Sequence, residues 1–230
     1  MKRNFSILSA QIASFTSHTS TPMKKSLLFV LLTAACGAAA LAQTTSGEFA
    51  IVKITPDLVT TPEYNVNFGP KNKRITKNKD FLEVEVAFDW QPKDRNAKFL
   101  DEITINYFIL LNNESRENKG GTLLTGSVTH VAIPNAKALN SVMYVSPRTL
   151  ERFFEGKLPT SASAAIKDIG VTITKPGVGA PLASSSWKGK GEWWGPMTST
   201  PGYVLNKNET PFAPLVWDYY EAIKTRPAGM

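Results

Sequence analysis

Cysteine and histidine are nearly absent from this chain of 230 residues, which has one cysteine, Cys36, and two histidines, His18 and His130. A zinc site needs several cysteine or histidine ligands, and a serine hydrolase needs an imidazole that accepts the serine proton. His130 lies at the centre of a strand pattern, so we expect it to be a strand residue rather than a catalytic base. These shortages predict no metal site and no catalytic residue of the common kinds.

Nucleotide-binding motifs are also missing. Gly177-Val178-Gly179 is followed by Ala180-Pro181 where a dinucleotide fingerprint needs the start of a helix, and no Walker A sequence occurs. Oxygen ligands are plentiful and leave a calcium site open as an alternative, but no acidic loop has EF-hand or repeat spacing. We therefore predict that the protein carries no cofactor.

Long apolar runs are scarce, and the main one follows the basic start Met23-Lys24-Lys25. It extends over residues 26–40 and ends in Ala40-Leu41-Ala42, a pattern typical of a secretory signal peptide. The run is shorter than the roughly twenty residues that a membrane span needs. We expect residues 1–22 to be an over-called extension, residues 23–42 to be the signal peptide, and cleavage to leave Gln43 at the N-terminus.

Two alternatives to cleavage after Ala42 stay open. Thr33-Ala34-Ala35-Cys36 resembles a lipidation site, although Thr33 stands where leucine is usual, and a permanent N-terminal anchor is the weaker reading. Cleavage after Ala42 would leave a chain without cysteine in a compartment that permits disulfides. We therefore expect residues 43–230 to form a single domain that is stabilised by a buried apolar core.

The charge balance changes when the leader is removed. The leader holds four basic residues and no acidic one, so 22 basic and 19 acidic residues remain, a net charge of +3. This balance gives no argument for nucleic-acid binding. The one local excess predicts a solvated basic loop, or a contact for acidic glycans or the bacterial surface, made by Lys71, Lys73, Arg74, Lys77 and Lys79.

Period-two alternation of apolar and polar residues recurs along the chain and is typical of half-buried strands. From Phe81 to Trp90 one face is apolar, and we expect the other face to meet water. The stretch from Ile103 to Leu111 is apolar on both faces, as in a covered central strand. Seven or eight strands with Pro, Gly and Asn breaks predict a mainly β fold, an immunoglobulin-like β-sandwich with one or two short helices. The other predicted strands are Phe49–Thr55, Tyr64–Phe68, Leu123–Ile133, Ser141–Val145 and Ile166–Thr174.

One helix has clear start and stop signals: Ser146 as the cap, Pro147 at the first position and Gly156 at the end. A second helix is predicted from Val216 to Lys224, where apolar residues fall at helical spacing. Residues 176–230 are rich in Trp, Gly and Pro, and we assign them to the same domain. They include two predicted closing strands, Leu182–Trp187 and Tyr203–Leu205.

Tryptophan is concentrated near the C-terminus, and three of the five tryptophans lie within eight residues beside several glycines. Flat aromatic rings on such loops bind sugars or the side chains of a partner protein. They also fill the end of a sandwich core, and Trp193 and Trp194 are not both expected to be buried. The candidate contact residues are Trp187, Trp193, Trp194 and Trp217.

Carboxylates are the remaining catalytic groups that occur in number. A glycosidase needs two of them on either side of a sugar, and Asp89, Glu192 and Asp218 each adjoin a tryptophan. This adjacency keeps a glycosidase as a remote hypothesis only.

Several segments together resemble a secreted protein of Akkermansia-type verrucomicrobia that is encoded with type IV pilus-like genes. They are the leader from Met23, the cysteine-free remainder, the helix Ser146–Gly156, and the tail segments Gly191–Gly195 and Trp217–Tyr220. The resemblance implies an immunoglobulin-like sandwich related in shape to pilin domains, without enzymatic activity. A main pilin keeps its hydrophobic helix, whereas here the apolar segment is expected to be removed.

The sequence therefore favours an exported, non-enzymatic interaction or structural protein, at the outer membrane, the cell surface or outside the cell, with the periplasm as an alternative. We expect protein partners at the cell envelope, compatible with a pilus-like or outer-membrane assembly, no nucleic acid, and no membrane span after cleavage. The alternative is a carbohydrate-binding module that stacks a glycan on the tryptophans.

Overall fold

The computed structural model describes residues 44–45, 47–63, 78–115 and 119–225. These residues form strands, two short α-helices and a final 3-10 turn, Lys207–Glu209. The bounds are β1 Thr44–Thr45, β2 Phe49–Thr60, β3 Asp80–Trp90, β4 Phe99–Leu111, β5 Leu123–Pro134, β6 Leu139–Val145, α1 Pro147–Phe153, α2 Ala162–Ala165, β7 Ile166–Thr174, β8 Ala183–Ser186, β9 Ser199–Pro201 and β10 Val204–Asn206.

The strands form two sheets. One sheet has the order β1-β8-β7-β4-β5-β9 and the other has the order β10-β6-β3-β2. Neighbouring strands are antiparallel except that β9 runs parallel to β5. In the part of the chain described, β2 therefore forms an edge of its sheet, and β8 lies near an edge because β1 is only two residues long.

The core lies between the two sheets. The face of β3 from Leu82 to Phe88 is fully buried, and it meets the inward face of β4, which includes Ile105 and Tyr107. Full burial of a large apolar side chain stabilises a fold by about 1.5–3 kcal/mol. Each face contributes several such side chains, so their burial is the main force that holds the two sheets together. The predicted mainly β sandwich with short helices is confirmed.

The outer faces of both sheets are partly covered by the C-terminal part of the chain. We call residues 192–197 the tryptophan cover and residues 207–225 the strap. Trp194 of the cover stacks on Phe108 of β4, with ring centroids 4.9 Å apart. Phe212 of the strap packs on Phe81 and Tyr144, at 5.4 and 4.9 Å. The outer face of β3 was expected to meet water, and this expectation is wrong where the strap covers it.

The first predicted helix forms as expected. Ser146 caps α1 by accepting a hydrogen bond from the backbone N–H of Thr149, and Pro147 is the first helical residue. The second helix, Val216–Lys224, is wrong: this stretch forms turns, and Ile223 pairs with His130 of β5 in antiparallel fashion. From Glu221 onward its backbone hydrogen-bonds to β5 and β6.

Some predictions lie outside the described residues. They are the extension, the signal peptide, Cys36 and the strand Tyr64–Phe68. The boundary at Ala42 and the single domain over residues 43–230 also stay predictions.

Candidate interaction site

Trp194 is a packing residue. Its side chain is 8% exposed, and it lies directly on Gly170 of β7. A Cβ atom at position 170 would come within 2.1 Å of the Trp194 ring, so only glycine leaves room for the indole. The ring of Trp193 meets that of Trp194 edge to face, at an angle of 86°. These two rings therefore do not form the flat, open platform on which a sugar stacks.

The other two candidate tryptophans lie elsewhere. Trp187 follows β8 and is half-buried, and the ammonium group of Lys188 lies 5.1 Å from its ring centroid. Trp217 is in the strap and is 77% exposed. The structure thus divides the four tryptophans among three environments: the cover over Gly170, the end of β8, and the strap.

Trp187 lines a groove between the two sheets. The groove has a volume of about 450 Å³, within the range of roughly 300–1,000 Å³ that holds drug-sized molecules. One wall is the start of β2, and the other is β8 with the turn that follows it. The lining residues are Ile51, Val52, Lys53, Ile54, Ser184, Ser185, Ser186, Trp187, Lys188, Gly189 and Gly191.

The groove is bordered by two strand edges. The edge of β2 has no strand partner among the residues described, and β1 pairs only with Ala183 and Ser184 of β8. A bulge at Val52 interrupts the pairing of β2 with β3 and leaves that side chain 60% exposed. Unpaired strand edges are sites where another polypeptide adds main-chain hydrogen bonds.

The groove combines apolar and polar lining with positive charge. Val52 and the half-buried Trp187 supply apolar surface, the serines of β8 supply hydroxyls, and Lys53 and Lys188 supply two ammonium groups. The contact with the Trp187 ring holds the Lys188 charge at the groove, as cation–π pairs do. The sequence had identified Trp187 but not the lysines, because β2 and β8 are far apart in the chain and only the fold brings them together.

His130 lies in the core and not at a surface. Its Nδ1 is 3.0 Å from the backbone oxygen of Glu221, and its Nε2 is 2.7 Å from Ser141 Oγ. A carbonyl oxygen can only accept, so Nδ1 carries the proton and Nε2 accepts from Ser141. Tyr107 donates to Ser141 Oγ at 2.8 Å, which completes the chain of hydrogen bonds. Burial lowers the pKa of His130 to about 4.

The distance from Ser141 Oγ to His130 Nε2 is one at which an imidazole activates a serine in hydrolases. The surroundings of this pair, however, do not allow it to act on a substrate. Ser141 is 0% exposed and His130 is 1% exposed, so no substrate reaches either group. The imidazole is oriented by a backbone carbonyl rather than by a carboxylate. The network therefore fixes the strap to the core. In the sequence it is marked by Tyr107 and Ser141, two polar residues at inward positions of strand patterns.

The three carboxylates that adjoin tryptophans are not brought together. Asp89 accepts a hydrogen bond from the backbone N–H of Ala138 at 2.8 Å, which holds the turn before β6. Glu192 and Asp218 are exposed, one in the tryptophan cover and the other in the strap. No hydrogen bond joins any two of the three.

A different carboxylate pair, missed from the sequence, lies under the strap. Glu83 and Glu85 are on the outer face of β3, and the hydroxyls of Tyr219 and Tyr220 donate to Glu85 at 3.5 and 3.1 Å. Burial raises the pKa of Glu83, a hydrogen bond from Tyr144 lowers it, and the charge of Glu85 raises it further. The tyrosines cover this pair, so it holds the strap rather than facing a substrate groove.

The basic loop is described only at its end. Lys79 forms an ion pair with Glu151 of α1 at 2.9 Å and is partly exposed. Lys71, Lys73, Arg74 and Lys77 lie outside the described residues.

The residues that the structure describes hold no group of three or more His, Cys, Asp or Glu residues that could bind a metal ion. Among these residues, no helix has the length and apolarity to span a membrane.

Comparisons with known proteins place the fold. A protein-family model matches residues 40–227. The crystal structure of a protein from Akkermansia muciniphila matches with a TM-score of 0.60 and 23% sequence identity, over 78% of this chain and 94% of that chain. At this identity the similarity shows a shared fold and no more. No curated protein matches the chain.

Proposed function

This chain belongs to the protein family whose model matches residues 40–227, and we propose that it is a non-enzymatic interaction protein of the cell envelope. In this proposal the protein is exported and receives a segment of a partner protein in the groove between β2 and β8. The observation that carries it is the meeting of two strand edges with Trp187, Lys53 and Lys188 in one open groove.

The strand order supports the immunoglobulin-like part of the prediction. The order β2-β3-β6 faces β8-β7-β4, as strands A, B and E face G, F and C in an immunoglobulin sandwich. One strand differs. β5 pairs with β4, the counterpart of strand C, whereas in the constant-type fold the strand that follows C is strand D, which lies beside strand E, the counterpart of β6. Such sandwiches host many functions, so the groove and not the fold carries the proposal.

The absence of enzymatic activity is part of the same proposal. It is supported by the burial of the His130–Ser141 pair and by the tyrosines that cover Glu83 and Glu85. Association with a pilus-like or outer-membrane assembly is supported by the predicted signal peptide and the sequence resemblance.

Glycan binding has less geometric support. The rings of Trp193 and Trp194 lie at 86° to each other, and Trp194 is buried against Gly170. A glycan platform would have to use Trp187 or Trp217 alone, without a second coplanar ring.

Amine-reactive cross-linking in the native bacterium, read by mass spectrometry, tests the proposed function. Cross-links to envelope proteins should concentrate on Lys53 and Lys188, and less on Lys137 and Lys175, which are exposed outside the groove. The same experiment reads the mature N-terminus, expected at Gln43.

The matched control changes Lys53 and Lys188 to arginine, which keeps the charge and removes the reactive amine. The groove cross-links should disappear while the protein stays in its compartment. Cross-links that form only at Lys137 and Lys175, or an absence of envelope partners, would contradict the proposal.

A further inference from the structure

The strap carries a compact group of exposed apolar side chains. Leu215, Val216, Trp217 and Tyr219 are 38, 58, 77 and 49% exposed. Together with Asp218 they form five consecutive residues, which we call the apolar loop. Exposed apolar groups of this kind mark interaction sites, and Trp and Tyr supply most of the energy at such sites.

The apolar loop is held in one conformation. The backbone N–H of Leu215 donates to Phe212 at 3.0 Å, and that of Tyr219 donates to Val216 at 3.2 Å. Phe212 is anchored in the aromatic cluster on β3 and β6. Val216 has a φ of 42°, which is strained for a β-branched residue and persists only where the surrounding structure imposes it. The loop is therefore ordered before it meets a partner, which reduces the entropy cost of binding.

The apolar loop and the groove are complementary in charge, and both present apolar surface. The loop presents apolar side chains around one carboxylate, Asp218, and the groove presents Val52 and Trp187 with the ammonium groups of Lys53 and Lys188. The loop lies on the strap over the β3 face, whereas the groove lies at the edge between β2 and β8. The two surfaces are on different parts of the molecule, so one copy can use both at once.

We propose that the groove receives the apolar loop of a second copy of this chain, with Trp217 against the apolar surface of the groove and Asp218 near Lys53 and Lys188. This inference rests on the proposed function, because it names the partner of the same groove. Contact between two different surfaces is heterologous, so it produces head-to-tail assemblies that close into a ring or extend as a filament.

As a partner for the apolar loop, a lipid surface is less suitable than the groove of a second copy. Asp218 lies in the middle of the loop, and Glu83 and Glu85 lie beneath the strap. Anionic headgroups repel this local negative charge, and hydrocarbon excludes it.

Sedimentation velocity of the processed full-length protein, over a series of concentrations, tests the inference. The average mass should rise with concentration and fall with added salt, because the contact includes exposed charges. Asp218→Lys should weaken association on the order of tenfold or more, and so should Lys53→Glu combined with Lys188→Glu. The control variants Asp101→Lys, and Lys137→Glu combined with Lys175→Glu, change exposed charges elsewhere and should associate like the unchanged protein.

Charge reversal provides the decisive step. An equal mixture of Asp218→Lys with the Lys53→Glu, Lys188→Glu variant should recover association, because each loop then meets a groove of opposite charge. Trp217→Ala keeps an intact groove, so it should pair one-to-one with the Lys53→Glu, Lys188→Glu variant, whose loop is intact, and it should not associate with Asp218→Lys. A protein that stays monomeric at all concentrations, or a mixture without recovery, overturns the inference.

Other outcomes separate this inference from the proposed function. A monomeric protein whose groove lysines still cross-link to other envelope proteins overturns the second-copy partner and leaves the proposed function standing. Absence of both association and groove cross-links overturns both. Binding of the monomer to phosphatidylethanolamine–phosphatidylglycerol vesicles that is lost in Trp217→Ala identifies the loop as a lipid anchor and also overturns the inference.

Discussion

The two covers of the sandwich come from the same C-terminal part of the chain but are held by different forces. The tryptophan cover is held by shape, because Trp194 lies against Gly170 and stacks on Phe108. The strap adds polar contacts to the packing of Phe212, through His130 to Glu221 and through Tyr220 to Glu85. Contacts of the first kind depend on volume, whereas those of the second kind depend on which groups carry protons.

Removal of the indole should have the largest effect. Trp194→Ala leaves an empty volume over Gly170 and should lower the free energy of unfolding by about 3–5 kcal/mol. Denaturant unfolding monitored by circular dichroism measures the change. A loss below about 1 kcal/mol would show that the packing of the cover contributes little stability. Trp194 would then resemble the exposed Trp217, whose removal should cost very little.

Acidification should weaken the strap and leave the tryptophan cover in place. The pKa of His130 is lowered to about 4 in the folded protein, so between that value and about 6.5 the unfolded chain binds more protons. This contribution is complete above pH about 6.5 and is lost as the pH falls to about 4, by up to about 3 kcal/mol. Thermal unfolding across this range measures it.

His130→Gln is the control for that experiment, because it removes the imidazole titration. The pKa values of Glu83 and Glu221 are raised, chiefly by burial, so those groups favour the folded state on acidification and act in the opposite direction. The His130→Gln variant should therefore lose the stability decrease between pH about 6.5 and 4. If His130→Gln shows the same decrease in stability on acidification, a titratable group other than His130 causes the decrease.

A single added methyl group should produce the next effect. Gly170→Ala places a Cβ atom within 2.1 Å of the Trp194 ring, so the indole must shift at a cost of about 1–3 kcal/mol. Gly195→Ala is the matched control, because no atom lies within 4 Å of its added Cβ. Equal stability of the two variants would show that the cover adjusts without loss.

The smallest effect is expected at the exposed tryptophan. Trp217→Ala should change the free energy of unfolding by less than about 0.5 kcal/mol, because the side chain is 77% exposed. Denaturant unfolding of Trp217→Ala and Trp194→Ala under the same conditions compares the two losses of stability directly. A large loss of stability at Trp217 would contradict its assignment to a binding surface.

Local patterns predicted the sandwich well. Alternation from Leu82 to Phe88 identified a buried face of β3, and Ser146 with Pro147 marked the start of α1. Both signals act between residues that are near in sequence. Each can therefore be recognised without knowing the rest of the fold.

The strap and the groove could not be predicted in the same way. Tyr219 and Tyr220 have helical spacing, but their partner Glu85 is 134 and 135 residues earlier. The groove likewise joins β2 to β8, and neither strand carries a local sign of the other. The tryptophans were recognisable as unusual, but only the glycine at 170 shows why Trp194 is buried while Trp217 is exposed.

The hydrogen bond from His130 to Glu221 also makes one buried network depend on distant parts of the chain. Its two residues are 91 positions apart, whereas Ser141 is only 11 positions from His130. Without the carbonyl of Glu221 the buried imidazole N–H has no partner, which costs about 1–3 kcal/mol. The polar network inside β5 and β6 is therefore completed only by a segment that is far from both strands in sequence.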